Sequence, residues 1–104
     1  MDLKKTSIML GTLTLISMLG FTVNFPEAGE VSGEDLVNRL NCRACHSLAG
    51  QGGNRGPAWD GVGRRLTPEA IRKQLLTPRG RMPSFAHLRP EELEAVVKYL
   101  SDLK

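Results

Sequence analysis

Residues 41–50 read NCRACHSLAG and hold both cysteines of the chain, Cys42 and Cys45, followed at once by His46. Two cysteines separated by two residues are typical of redox dithiols, of zinc sites and of small disulfides. A histidine directly after the second cysteine adds a fourth interpretation, the covalent attachment of a cofactor. The fold of so short a chain depends on which of these four interpretations of the cysteine pair is correct, and the surrounding sequence distinguishes between them.

The first 29 residues have the layout of an export leader. Lys4 and Lys5 precede an uncharged run of 21 residues from Thr6 to Pro26, and a basic segment before an apolar one is typical of secretory signals. The run is also about as long as a membrane-spanning helix. Because Pro26 stands where a small residue would mark a cleavage site, a signal peptide and an uncleaved anchor both stay open over residues 1–29. We favour the anchor, and a buried core helix is the remaining interpretation.

Residues 30–104 are the exported domain in either case. The lysines before the apolar run stay in the cytoplasm, so we expect this domain on the periplasmic side of the cytoplasmic membrane. A domain of 75 residues buries little surface and usually needs a metal, a disulfide or a cofactor. Its large aromatic residues are few, namely Trp59, Phe85 and Tyr99. A bound apolar cofactor would fill its centre.

The four interpretations of the cysteine pair are not equally supported. A disulfide between Cys42 and Cys45 would close only a very small loop, which gives little entropic stabilisation. A thioredoxin-like site needs a βαβ pattern, and no strand pattern is evident; a zinc site needs four ligands, which His87 would complete only by coincidence. C-x-x-C-H is the attachment signature of c-type haem, in which each thiol bonds a vinyl group and His46 ligates the iron. The sequence therefore predicts one covalently attached haem c.

The second axial position of the iron decides whether the haem moves electrons or binds small molecules. Met82 is the only methionine after the leader, and it lies in RGRMPSFAHL, residues 79–88, where Gly80 and Pro83 predict an irregular loop. Such a loop can present the thioether to the haem face opposite His46. We therefore expect Met82 as the sixth ligand, while His87 and an open site are the alternatives.

Three stretches together resemble a small bacterial class I monohaem cytochrome c. They are SGEDLVNRLNCRACHSLAGQGGNRGPAWDGVGRR, RMPSF and RPEELEAVVKYLSDLK, at residues 32–65, 81–85 and 89–104. The resemblance covers the whole exported domain, and it implies an all-α class I cytochrome c fold with three main helices around one haem. It also implies His46 and Met82 as axial ligands.

The three main helices are also visible in the sequence. Ser32 is a good N-cap for a first helix that runs to the attachment motif. Thr67 and Pro68 are a cap and a first-turn proline for a second helix, which should end before Pro78. A third helix should begin at Pro90. Its apolar positions follow helical spacing and comprise Leu93, Val96, Val97, Leu100 and Leu103.

Residues 49–63, AGQGGNRGPAWDGVG, predict an irregular loop with chemistry of its own. A ligating histidine usually donates its other ring N–H to a carbonyl or carboxylate. The resemblance implies that the backbone of Pro57 accepts this bond from His46. Trp59, Arg64 and Arg65 are candidates to contact the haem propionates, and Trp59 is alternatively a wall of the haem pocket.

Charge and motifs together favour an electron-transfer protein rather than an enzyme. Residues 39–81 contain nine lysines and arginines and two acidic residues, so their local net charge is +7. A basic rim around a redox centre steers acidic redox proteins toward it, so we expect such partners, and neither nucleic acid nor a small-molecule substrate. The alternatives are a haem-based gas sensor, a peroxidase-like enzyme, or a redox subunit of a membrane enzyme complex that docks through its leader.

Overall fold

The structure is a computed structural model that describes Gly20 and residues 30–104. The leader predicted over residues 1–29 thus lies, Gly20 apart, outside the described residues. The regular elements are the helices α1 (Gly33–Arg39), α2 (Val62–Arg65), α3 (Pro68–Leu76) and α4 (Pro90–Ser101), with a 3₁₀ turn at Cys42–Ala44. Over residues 30–104 the only β-type pairing is an isolated bridge between Leu48 and Gln51. The prediction of an all-α fold is therefore confirmed.

Local capping signals set where α1 and α3 begin. The Ser32 hydroxyl accepts a hydrogen bond from the backbone N–H of Asp35 at 3.3 Å, and the Thr67 hydroxyl accepts one from that of Ala70 at 3.1 Å. Each bond satisfies a backbone donor that the first helical turn leaves unpaired. Pro68 then occupies the first turn of α3, where its missing N–H is not needed.

Helix α4 begins at Pro90, where the Glu92 carboxylate accepts a hydrogen bond from the backbone N–H of Arg89 at 3.1 Å. Its inner face is buried, as predicted, over Leu93, Val96, Val97 and Leu100. The helix ends at Ser101, so Leu103 is not its last turn but part of the tail that follows. Leu103 still packs against the core, because its N–H bonds the carbonyl of Leu100 and folds the tail back.

One apolar core lies between α1, α3 and α4. Its buried members outside α4 are Leu36, Val37, Trp59, Val62, Ile71, Leu75 and Phe85. Val37 has no exposed surface at all, and it lies on α1, which packs directly on α4. Among the residues described, no helix is both long enough and apolar enough to span a membrane.

Helices α1 and α4 cross in direct contact at a glycine. A Cβ placed on Gly33 would lie 2.7 Å from the Cβ of Tyr99 and closer still to the carbonyl oxygen of Ala95. No side chain fits there, so the backbone of α1 rests on α4 at this point. The sequence analysis named Tyr99 only as one of the few large aromatic residues, and no pattern in the sequence indicates that Gly33 is its partner.

Helix α2 lies at the end of the segment that was expected to be an irregular loop. That expectation is wrong from Val62 onward, where four residues form one helical turn. The turn is held from outside the segment, since Gly63 N–H donates to the carbonyl of Leu103 at 2.8 Å and Lys104 Nζ donates to the carbonyl of Gly63 at 3.1 Å. A single turn has no sequence periodicity to detect, and its stability comes from the chain terminus that packs on it.

Candidate haem site

The attachment motif lies on the tight turn that follows α1. The backbone N–H groups of Cys45 and His46 both donate to the carbonyl of Cys42, at 3.2 and 3.1 Å. This turn brings Cys42, Cys45 and His46 together in one short segment, and all three are half-buried. Neither cysteine is in a disulfide. Burial raises the pKa of the Cys42 thiol, and the neighbouring Cys45 raises it further against an opposing backbone hydrogen bond.

His46 is oriented by the backbone of the following loop. Its Nδ1 lies 2.7 Å from the carbonyl oxygen of Pro57. A carbonyl oxygen only accepts hydrogen bonds, so this partner assigns the proton to Nδ1 and leaves the lone pair on Nε2. The predicted bond from His46 to Pro57 is thereby confirmed, and the imidazole is in the tautomer that a metal ligand needs.

The loop that carries Pro57 is folded back onto the attachment turn. Gly53 N–H donates to the carbonyl of Arg43 at 2.9 Å, and Gly56 N–H donates to the carbonyl of Cys45 at 2.8 Å. A Cβ on Gly56 would lie 2.8 Å from Nδ1 of His46 and nearer still to its Cε1. The imidazole therefore occupies the space in front of this glycine, which fixes the ring from the side as well as through its hydrogen bond.

Trp59 forms a wall beside the imidazole. Its ring stacks on that of His46 with centroids 5.4 Å apart and planes 17° apart, and Tyr99 meets it edge-on at 6.4 Å. Trp59 is only 6% exposed. Of the two roles predicted for Trp59, the structure supports that of a wall, and the Tyr99 contact couples this wall to α4.

Arg65 is occupied by the loop itself. Its guanidinium donates to the carbonyl oxygens of Asp60 and Ala58, the latter at 2.8 Å, while the Asp60 carboxylate accepts from the backbone N–H of Ala49 at 2.9 Å. This role in bracing the loop was missed by the sequence analysis, which proposed Arg65 only for the propionates. Arg64 is exposed and stays a candidate for them.

Met82 lies in an irregular segment, as predicted, and this segment is fastened to the end of α3. Phe85 N–H donates to the carbonyl of Leu75 at 2.8 Å, and the Ser84 hydroxyl donates to that of Leu76 at 3.0 Å. Met82 itself is half-buried against the same core as Cys42. Its sulfur accepts a hydrogen bond from Nε2 of Gln74 at 3.6 Å, a residue that the sequence analysis did not single out.

The zinc interpretation finds no support in the described part of the chain. Within residues 30–104, no three or more His, Cys, Asp or Glu side chains are grouped so as to hold a metal ion. His87, the proposed fourth zinc ligand and alternative haem ligand, is exposed, and its ring lies 6.2 Å from that of Phe85.

Comparison with known proteins assigns the family. The family described as "Cytochrome C oxidase, cbb3-type, subunit III" matches residues 29–100, which is more than half of the chain. The chain belongs to this family. No curated protein matches the chain. The resemblance to a small monohaem class I cytochrome c is thereby confirmed, and with it haem-based electron transfer as the general role.

As a cbb3-type cytochrome domain, the chain binds covalently attached haem c. The described residues fit this group. Two thiols outside any disulfide lie one turn apart, the imidazole beside them has its Nε2 lone pair available, and a thioether borders the same core. These donors are the types that ligate and anchor a haem in cytochromes c.

Proposed function

We propose that this chain is an electron carrier with one six-coordinate haem c. In this proposal Cys42 and Cys45 form the thioether bonds, and His46 and Met82 are the axial ligands. The haem supplies an iron that alternates between Fe(III) and Fe(II). The protein binds no substrate and moves no proton, so its residues act by holding the haem, excluding water from it and setting its potential.

The hydrogen bond from His46 to Pro57 is the observation that carries the proposal. A histidine with Nδ1 held by a carbonyl and flanked by a glycine and a tryptophan has lost the freedom to turn away. Such an outer partner fixes the ring and raises its basicity toward a metal. Met82 as the second ligand would raise the reduction potential, which suits exchange with respiratory proteins.

Visible spectra of the purified holoprotein, ferric and reduced, with and without carbon monoxide, test the ligation. We expect the weak sulfur-to-iron band in the ferric form and no reaction of the reduced form with carbon monoxide. The variant Met82→Ala should lose the band and bind carbon monoxide, whereas His87→Ala should behave as wild type. Ready binding of carbon monoxide by wild type would instead favour a gas sensor or a peroxidase-like enzyme.

The family description favours a second candidate, a redox subunit of a membrane oxidase. In this version residues 1–29 are an uncleaved anchor, residues 30–104 lie on the periplasmic side, and the electrons pass within one complex. Intact mass of the protein from membranes tests this directly. The full chain plus one haem, co-purifying with oxidase subunits in mild detergent, would support it; a shortened soluble chain would support a freely diffusing carrier.

Acidic redox proteins are the proposed partners. Arg55, Arg64, Lys73, Arg79 and Arg81 are all exposed, and they lie in the segments around the attachment loop and Met82. Clustered exposed charge of one sign raises the rate of encounter with a partner of the opposite sign.

A further inference from the structure

Gln74 places a side-chain amide on the sulfur of Met82. Nε2 of Gln74 lies 3.6 Å from Sδ of Met82, and both residues are half-buried. A thioether is a weak acceptor, so it gains such a partner only where the fold holds the amide against it. The contact joins residues eight positions apart, one on a helix and one in an irregular segment.

The end of α3 and the segment after it hold the two groups together. The carbonyls of Leu75 and Leu76, the two residues after Gln74, accept hydrogen bonds from Phe85 and Ser84. These bonds fasten both sides of the contact to the same helical turn. The distance from Gln74 to Met82 is therefore set by the backbone and does not depend on the flexible side chains alone.

We infer that Gln74 is a positioning residue for the haem: its amide N–H donates to the Met82 sulfur, aims the other lone pair at the iron and weakens the sulfur as a donor. This inference rests on the proposed ligation by Met82. A thioether sulfur has two lone pairs, so it can accept from Gln74 and ligate iron at once. Withdrawal of electron density disfavours Fe(III) more than Fe(II), and the hydrogen bond therefore raises the reduction potential.

The variant Gln74→Leu tests the inference, because it keeps the volume of the side chain and removes the donor. The effect should be small, because a thioether is a weak acceptor and only part of the hydrogen-bond energy differs between the oxidation states. We expect the reduction equilibrium constant to fall about threefold, roughly 30 mV at 59 mV per tenfold for one electron. The affinity of the ferric haem for added imidazole should fall as well, because a sulfur without the hydrogen bond is the stronger ligand of Fe(III) and is displaced less readily.

The control is Gln51→Leu, the same substitution at an exposed glutamine of the loop, which should leave the potential and the imidazole affinity unchanged. A second measurement needs no variant. In the reduced, diamagnetic holoprotein, a nuclear Overhauser effect should join the side-chain amide protons of Gln74 to the ε-methyl of Met82.

The outcomes separate this inference from the proposed function. If wild type shows the sulfur-to-iron band but Gln74→Leu matches it in potential and imidazole affinity, the inference is wrong and the ligation stands. Absence of the Overhauser effect in a protein with that band also overturns it. If wild type lacks the band, the ligation by Met82 has failed, and the role of Gln74 fails with it.

Discussion

Gly56 shows how strongly a single atom can matter beside the imidazole of His46. The substitution Gly56→Ala places a Cβ against the ring, so the ring must turn or the loop must move. We expect a loss of unfolding free energy of about 1–3 kcal/mol, typical of overpacking. The haem spectrum and potential should change with it, because the bond from Nδ1 to Pro57 is disturbed.

The control for this prediction is Gly50→Ala. Gly50 has a φ of +76° and no atom within 4 Å of the position of a Cβ, so alanine is strained there by about 1–2 kcal/mol without touching the site. Urea denaturation should show a loss for both variants, but only Gly56→Ala should alter the spectrum. A Gly56→Ala protein with the wild-type spectrum and stability would mean that His46 does not lie against this glycine in the holoprotein.

At the scale of elements, the crossing of α1 and α4 depends on Gly33. In Gly33→Ala the new Cβ would meet Tyr99 and the carbonyl of Ala95, and the two helices would have to separate. We expect a loss of unfolding free energy of about 1–3 kcal/mol. Asn38→Ala, at an exposed position of the same helix, should stay within about 0.5 kcal/mol of wild type. Equal stabilities of the two variants would refute the close crossing.

An ion pair joins α3 to α4 and should make their contact sensitive to acid. Arg72 Nε and a terminal guanidinium nitrogen donate to the two carboxylate oxygens of Glu94 at 2.6 and 2.7 Å. These bonds lower the pKa of Glu94 from its ordinary value of 4.5. A carboxyl whose pKa is lower in the folded state adds stability above its unfolded pKa, and this stability is lost as the pH falls.

The test of that sensitivity is Glu94→Gln. Wild type should be the more stable protein at pH 7, by a modest margin since both side chains face solvent. The difference should shrink as the pH is lowered below 4.5, because the Glu94 carboxyl of the unfolded wild type then binds a proton first, and that of the folded protein does so at a lower pH. Urea denaturation at pH 7 and pH 3 measures it. If the difference in unfolding free energy is the same at pH 7 and pH 3, the ion pair between Arg72 and Glu94 does not contribute to stability.

The elements also show what a sequence can and cannot predict. The signals that mark the helix starts are local. Ser32 and Thr67 cap backbone N–H groups of their own turn, and Pro90 occupies a first turn, where its missing N–H is not needed. The starts of the three main helices were therefore predicted correctly. The partners of Gly33 and Arg65 lie elsewhere in the chain or on loop carbonyls, which no pattern of residue types reveals. Gln74 was missed for the same reason: a glutamine in a helix is ordinary until the fold brings a sulfur to it.

The haem site likewise has features that the sequence predicts and features that depend on the fold. The spacing of Cys42, Cys45 and His46 is itself the signal for attachment, and the bond from His46 to Pro57 followed from the family resemblance. Trp59 was placed near the haem, but its stacking on the imidazole depends on a loop that returns to the attachment turn. Ligation by Met82 is still a prediction, supported by where its segment is fastened.

At the scale of the whole molecule, the distribution of charge predicts how the protein meets its partners. The chain carries a net charge of +3, and Arg79 and Arg81 lie exposed on either side of the turn before Met82. The double variant Arg79→Gln, Arg81→Gln should slow electron transfer with an acidic redox protein severalfold at low ionic strength. The difference should fade well above 0.1 M salt, where the screening length is below about 10 Å.

Stopped-flow mixing over a range of salt concentrations measures this rate. Arg89→Gln is the control for the loss of a positive charge elsewhere, since Arg89 lies outside the basic residues 39–81 and is paired with Glu91 and Glu92 at 3.1 and 3.0 Å. If all these proteins react at one rate with one salt dependence, the basic residues around the site take no part in docking.

The close contact of Gly33 with Tyr99 has a consequence for biogenesis. This contact closes the segment from residue 33 to residue 99. In a flexible chain, bringing the ends of a segment together costs conformational entropy that grows with the logarithm of its length. A haem joined at residues 42 and 45 and gripped at residue 82 would divide the segment into shorter loops before its ends meet. A pulse-chase experiment in cells unable to attach haem would measure the lifetime of the unloaded chain. In chains without haem, α1 and α4 would not cross, and such chains would be degraded by proteases. The crossing of the two helices would therefore determine which chains survive in the cell.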